Sequence, residues 1–469
     1  MPFAAHHRGN RWSCGLVAMY LDRRAAPETR ASQADGGRYD RPMDPLKEHP
    51  LEKDPLEKHP IEEHPIEEHP LGRNHDFRAL LSTQGVSSIG DAVSFTALPL
   101  LVFALTGSGA AMGVVGALQT LPDLFFGMIA GALADRSNRK KMMFVADSGR
   151  AVLTALIPIS VWLGGPTLAV ILVVAAPMSI LRSLFLAGYT AAVPAIVGRS
   201  QLARANALFE AVYSTGYIIG PGVAGILSTA IGPGPTLGID AVSFLLSAFG
   251  LVLVRRPLIA PTDRPTRHIL VDIREGIEFI VARPTLRSAI AFWGIVSVTT
   301  AALVPALTVD VIRDLGLQAW ALGLLLTVYG GGTVTGALLI SRRRRGSAGP
   351  LLLGGNLARG LLLVAIGVVG RLELLLPLGF VAGIADSAVL ITYLTLRTAH
   401  SPDELLGRIG STARTISLGL QPVGMLAGGL LIDATNGATT IVAMGVAVAG
   451  LSIAFAPIRS LRHAQLNPR

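Results

Sequence analysis

Residues 127–141 read GMIAGALADRSNRKK, an apolar run with glycines four apart that passes without a linker into one acid and four cations, Arg136, Arg139, Lys140 and Lys141. Residues 332–346 repeat the arrangement as GTVTGALLISRRRRG, with the same GxxxGAL phrase closing an apolar run and a basic turn after it. Charge placed between two apolar runs is tolerated where the chain emerges into water, so each stretch marks the end of a membrane span. Its recurrence shows that the spans come in two matching sets.

Composition agrees. Of 469 residues 51% are hydrophobic and 15% charged, against about 25% charged in soluble domains. From Ala79 the chain divides into about twelve apolar stretches, at 79–105, 109–134, 142–163, 167–190, 208–231, 237–254, 288–311, 319–340, 349–369, 373–395, 411–433 and 438–457. Each is long enough to cross a hydrocarbon core as a helix. A second echo sets Pro221 of IIGPGVAG opposite Pro422 of GLQPVGMLAG. The expected fold is therefore an all-α membrane protein of twelve transmembrane helices in two pseudo-symmetric halves, 78–254 and 288–458. A linker at 255–287, containing an amphipathic helix, joins them, and a short tail at 459–469 follows.

The net charge of +9 does not indicate nucleic acid, because the cations recur in alternate loops instead of forming one patch. DRSNRKK has four and SRRRRG four, the long loop 255–287 has seven, while of the intervening loops TGSGA, GGPT and IGPGPT have none and the later ones only Arg313 and Arg371. By the positive-inside rule the basic loops and both termini face the cytoplasm, which places the chain in a bacterial inner (plasma) membrane. Cys14 is the single cysteine and cannot form an internal disulfide.

Residues 1–77 are polar and contain six pentapeptides from Asp44 to Arg73, each with proline in second place. Such spacing forbids a regular helix and predicts an extended or disordered cytoplasmic tail. The histidines His49, His59, His64 and His69 fix no coordination geometry on such a tail, so no metal is expected there. Met43 opens the repeat directly and offers a second translation start.

GALADRSNRKK resembles the signature of the major facilitator superfamily, in the loop between its second and third helices, at Gly131, Leu133, Asp135, Arg136, Arg139 and Lys140. Asn138 stands where glycine is usual, and asparagine tolerates a left-handed turn. GYIIGPGVAG is similar to the motif of drug/proton antiporters in this superfamily at Gly216, Gly220, Pro221 and Gly225. SIGDAVSFTALPLLVFALTGS, LARANALF and DELLGRIGS resemble the macrolide and siderophore exporter branch. The resemblance implies a latch between halves at Gly131, Asp135, Arg136 and Arg139, with Asp147 and Arg150 supporting it as an ion pair one helical turn apart. It also implies a bend and a close helix contact at Pro221.

Ionisable groups inside spans are costly, which makes each a candidate for function. Asp91, midway along the first span in GDAVSF, is the leading proton-coupling candidate, followed by Asp123 and Asp386. Gln119, Arg182, Tyr189 and Tyr329 are candidates for a substrate cavity, with Phe185, Trp293 and Tyr393 nearby. Asp240, at the start of its span, reads as interfacial.

The implied activity is secondary active export of small amphipathic, drug-like or macrolide-like compounds, coupled to proton antiport through alternating access. The partners are then the substrate, protons and the bilayer, with no nucleic acid and a monomeric chain. No cofactor is expected, and no phosphate-binding loop of the G-x-x-x-x-G-K-[ST] type occurs. Two alternatives stand beside it: a dedicated metabolite or siderophore exporter, and a transporter-like sensor or scaffold. No nucleophile, base and oxyanion set appears at motif spacing, so an enzyme is not expected.

Overall fold

The structure, a computed structural model, describes residues 71–198, 200–258, 269–342, 346–402 and 405–465, and all their side chains except those of 123, 128, 269–273 and 418. The pentapeptide tail up to residue 70, its histidines and Met43 lie outside the described residues.

The first half runs α1 (His75–Thr106), α2 (Gly109–Ala134), α3 (Arg139–Trp162), α4 (Thr167–Val197), α5 (Leu202–Ile231) and α6 (Pro233–Leu253). A shorter helix, α7 (Ile269–Ala282), leads into the second half: α8 (Pro284–Thr299), α9 (Leu303–Val309), α10 (Ala319–Ser341), α11 (Ala348–Val368), α12 (Leu372–Ala399), α13 (Leu406–Gly419), α14 (Gln421–Ala434), α15 (Gly437–Phe455) and α16 (Arg459–Arg462). Among the described residues twelve helical segments are long and apolar enough to cross a membrane. Two of them are interrupted. The seventh breaks between α8 and α9 and ends in a π-helical turn, Asp310–Asp314, and the eleventh breaks at Leu420, just before Pro422.

Local chemistry sets the ends. The Asn74, Ser108 and Asn436 side chains each accept from a backbone N–H three residues on, the usual satisfaction of a helix's unpaired first donors. Gly107, at φ 63°, closes α1 in the left-handed conformation. Asn138 differs from the expectation: it is extended (φ −69°, ψ 105°), and its side chain accepts from the Lys141 N–H at 3.2 Å. An asparagine in that place acts as the N-cap of α3, so no left-handed residue is needed there.

Within the first half α1 packs on α5 and α6, α3 on α4 and α6, and α2 on α4; within the second, α10 packs on α12, and α11 on α12 and α15. The correspondence extends to single bonds. The N–H of Arg139, first in α3, donates to the Leu258 carbonyl beyond α6 at 2.9 Å, and the N–H of Ala348, first in α11, donates to the Ala464 carbonyl beyond α15 at 2.8 Å. The same closure in both halves is what a duplicated six-helix unit produces.

Candidate functional site

The halves meet along two helix pairs, α2 with α14 and α5 with α10. Glycine makes the approach possible. A Cβ on Gly225 would lie 2.7 Å from the Ala319 carbonyl and 2.9 Å from Gly323 Cα, and one on Gly116 would lie 2.9 Å from the Met425 sulfur. Backbones this close are the membrane's way of joining helices, where no hydrophobic driving force separates helix from lipid. Each pair is also closed by a side chain that caps the incoming helix. The Asp433 carboxylate accepts from the Gly109 N–H at 2.5 Å, the Ala110 N–H at 3.0 Å and the Ser108 hydroxyl at 2.6 Å, while Thr229 Oγ1 accepts from the Trp320 N–H at 2.9 Å.

All of these contacts lie at the end opposite the basic loops. Leu124 of α2 still meets Gly419, yet further along the same helix a Cβ on Gly127 or Gly131 would touch nothing within 4 Å. Phe125, Ile129 and Leu133 there are 59%, 56% and 43% exposed. The halves are therefore joined at one end and parted at the other.

Beside this junction the first half encloses a cluster of charge. Arg150 Nη2 donates to Asp91 Oδ1 at 2.5 Å and Nη1 to Asp147 Oδ1 at 3.5 Å, while its guanidinium lies 3.8 Å from the centre of the Phe244 ring. Ser247 donates to Asp147 Oδ2 at 2.5 Å. Asp147 and Arg150 are buried, and the Asp91 side chain is 27% exposed. A guanidinium shared by two carboxylates offsets charges that neither could bear alone at this depth. Asp240 completes the group: buried at 2% exposure, it accepts from Ser94 Oγ at 2.5 Å and Ser243 Oγ at 3.2 Å.

The second half has a reduced counterpart. Arg359 stands eleven residues into α11, as Arg150 does in α3, and Asn356 takes the place of Asp147. Arg359 Nε pairs with Asp386 Oδ1 at 3.1 Å, with Tyr329 facing the same carboxylate.

The residues singled out from the sequence thus divide. Asp91 joins a charge network, and Asp386 pairs within its own half. The Asp123 side chain lies outside the described residues. Asp147 and Arg150 stand about 12 and 16 Å along α3 from the basic turn, at 1.5 Å per residue, and Arg150 bonds both Asp147 and Asp91. At the turn itself Asp135 and Arg136 are exposed, whereas Arg139 is buried and donates to the Ala191 carbonyl at 3.0 Å. Lys140 bonds the Val252 and Val254 carbonyls at the end of α6. Both cations tie the turn to its own half. Pro221 lies within continuous α5, where Gly216 and Gly220 bring α1 close at Ser88 and Ala92.

Of the cavity candidates, Gln119 lines a cavity inside the first half, and Tyr189 stacks on Phe185 and meets Phe209 edge-on. Arg182, on α4, is exposed. Sequence reasoning missed Asp240 and Asp433. The only linear signal for the first was an acid followed by serines at short spacing, and for the second an acid ending a span.

Two pseudo-symmetric six-helix halves, joined at one end around buried charge, define a transporter of the alternating-access kind. Residues 69–469 match the family model described as transmembrane secretion effector, and the chain belongs to that family, within the major facilitator superfamily. It is a multi-pass membrane transporter and not an enzyme. The multidrug efflux pump Tap of Mycolicibacterium fortuitum is 27% identical over 392 residues, 80% of this chain and 94% of that protein. The enterobactin exporter EntS of Escherichia coli O81 (strain ED1a) is 27% identical over 352 residues, 73% of this chain and 82% of that one. In fold the chain is similar to a bacterial homologue of the human lysosomal transporter Spinster, inward-facing and unoccupied, with TM-score 0.66 at 16% identity, over 83% of this chain and 96% of that one. It is likewise similar to the nucleoside transporter NupG, with TM-score 0.65 at 13% identity, over 82% and 98%.

Proposed function

We propose that this chain exports small amphipathic compounds across a bacterial inner membrane, as a monomer with both termini in the cytoplasm, by exchange for protons. The observation that carries the reading is the polarity of the junction. The halves touch at the end whose loops carry only the cations Arg313 and Arg371 and part at the end bearing the basic loops, which under the positive-inside rule is an inward-facing transporter open to cytoplasmic substrate. Asp91 supports the coupling: a carboxylate bonded to a buried arginine yet 27% exposed can trade its partner for a proton or a substrate cation. The similarity to Tap supports a broad, drug-like substrate range.

The test is accumulation of fluorescent amphipathic dyes and antibiotics in efflux-deficient cells expressing the wild type or Asp91→Asn, with and without a protonophore. The expected result is lowered accumulation by wild type only while the gradient stands, and none by Asp91→Asn. Wild-type export that persists unchanged in protonophore would exclude proton coupling. The similarity to EntS favours a second reading, a dedicated exporter of a siderophore or another metabolite, in which no dye responds.

A further inference from the structure

Inside the first half, between the charge cluster and the end at which the halves are joined, lies a cavity of about 50 Å³. Its wall is mostly apolar, but Asp240, Ser94, Gln119 and Thr154 each contribute to it. A space of this size with several polar groups holds water, since a single molecule needs only roughly 10–15 Å³ measured in this way. The site is shaped for its carboxyl group. A Cβ on Gly90 would fall on Ser243 Oγ and within 2.6 Å of Asp240 Oδ1, so α1 has no side chain where Asp240 comes to rest.

The charges facing Asp240 do not balance. From α1 comes Asp91; from α3 come Asp147 and Arg150; Tyr213 and Tyr217 of α5 stand on the Asp91 side, with Arg182 of α4 near those two tyrosines; the residues by which α2 and α4 line the cavity, Gln119 and Met178 among them, are all neutral. Arg150 is the one described cation set against Asp240 itself, and its terminal nitrogens are bonded to Asp91 and Asp147, its Nε being left without a partner. Asp240 has only serine hydroxyls, which stabilise a carboxylate far less than a cation does. A buried carboxylate without a counter-ion neutralises by taking up a proton.

We propose that Asp240 is the proton-carrying group of the exchange, loaded from water in this cavity. A hydronium ion in the cavity gives its proton to the Asp240 carboxylate, leaving water and a neutral carboxyl; in the unloading step the carboxyl returns the proton to water and regains its charge. Asp91, whose side chain is 27% exposed, then acts as the group that Arg150 holds or releases. This rests on the proton-antiport reading above and adds to it which residue is protonated.

The experiment uses the full chain in proteoliposomes, with ethidium as the probe. Three quantities are read for wild type, Asp240→Asn and Asp240→Glu: the infrared carbonyl band of a buried protonated carboxyl, ethidium accumulation driven by an imposed pH step, and ethidium counterflow without a pH step. Wild type should show the band. Asp240→Asn should weaken it by one carboxyl, buried Asp310 of the second half being another source, lose at least tenfold in pH-driven accumulation and retain counterflow, while Asp240→Glu recovers part of the accumulation. An unchanged band in Asp240→Asn, or unchanged pH-driven accumulation, overturns the proposal. Loss of counterflow together with accumulation assigns Asp240 a structural part and overturns it as well. If wild type exchanges ethidium but ignores the pH step, proton antiport itself fails, a result separable from the others because the infrared band is read without transport.

Discussion

Asp433, in the last turn of α14, accepts a 2.5 Å hydrogen bond from the backbone N–H of Gly109, the first residue of α2, and so one half of the molecule caps a helix of the other. The carboxylate also sits at the positive end of the α2 dipole, where negative charge is favoured. Thr229 plays the same part for Trp320 across the second helix pair, with a neutral hydroxyl.

Asp433→Ala removes three hydrogen bonds that exist only while this end is closed. A loss of roughly 1–3 kcal/mol would shift the balance between closed and open states by about 5- to 150-fold. Spin labels at Pro166→Cys and Arg371→Cys, in exposed loops of opposite halves, report it in a chain carrying Cys14→Ser. The separation should lengthen in Asp433→Ala; an unchanged distance distribution would show that the cap does not hold this end. Thr229→Val should give a smaller shift.

The glycines of the junction divide by state. Gly225→Val must push the Ala319 carbonyl and Gly323 backbone away, so the closed end should open and transport fall at least tenfold. Gly131→Val meets nothing while the basic end is parted and should leave thermal stability within about 0.5 kcal/mol of wild type. Turnover should nevertheless slow, because the basic end has to close over it during the cycle. Equal thermal destabilisation by both would contradict the parted geometry.

Much of this fold was legible because a membrane imposes length and composition on each span independently of its neighbours. The GxxxGAL echo and the Pro221–Pro422 pair exposed the duplication for the same reason, being local phrases. Side-chain partnership was not legible. Arg150 and Asp147 stand three residues apart and read as a pair, but the shorter bond runs to Asp91, 59 positions away. Asp240 looked interfacial because its span appeared to begin at 237; α6 starts at Pro233, and Gly90, Ser94 and Ser243 enclose the carboxylate from two helices. The two prolines also diverge. Pro422 follows a break at Leu420, whereas Pro221 lies in unbroken α5, and proline spacing alone does not distinguish them.

Arg150→Met leaves Asp91 and Asp147 without their cation and should destabilise the protein by about 3–5 kcal/mol, the usual effect of stripping one partner from a buried pair. Asp147→Asn in the same chain should recover part of the loss, because it removes one of the stranded charges. Thermal unfolding of the two single variants and the double measures the coupling. Strict additivity would mean that Arg150 and Asp147 act separately. Arg359→Met strands only Asp386 and should cost less.

The tail offers a discriminating truncation. The family match begins at residue 69, and Leu71, 3% exposed, packs with Phe77, Val254 and Leu258 beneath the basic end of the first half. Removing residues 1–64 leaves that contact and the Asn74 cap intact, so transport should stay within about twofold of wild type. Removing residues 1–74 takes away both and should lower thermal stability by roughly 1.5–4 kcal/mol, from a buried leucine and a lost N-cap. A sensor or scaffold working through its tail would behave differently: activity would disappear at the first truncation while dye transport, had there been any, stayed the same. Dye efflux measured on both truncated chains at matched expression separates these outcomes.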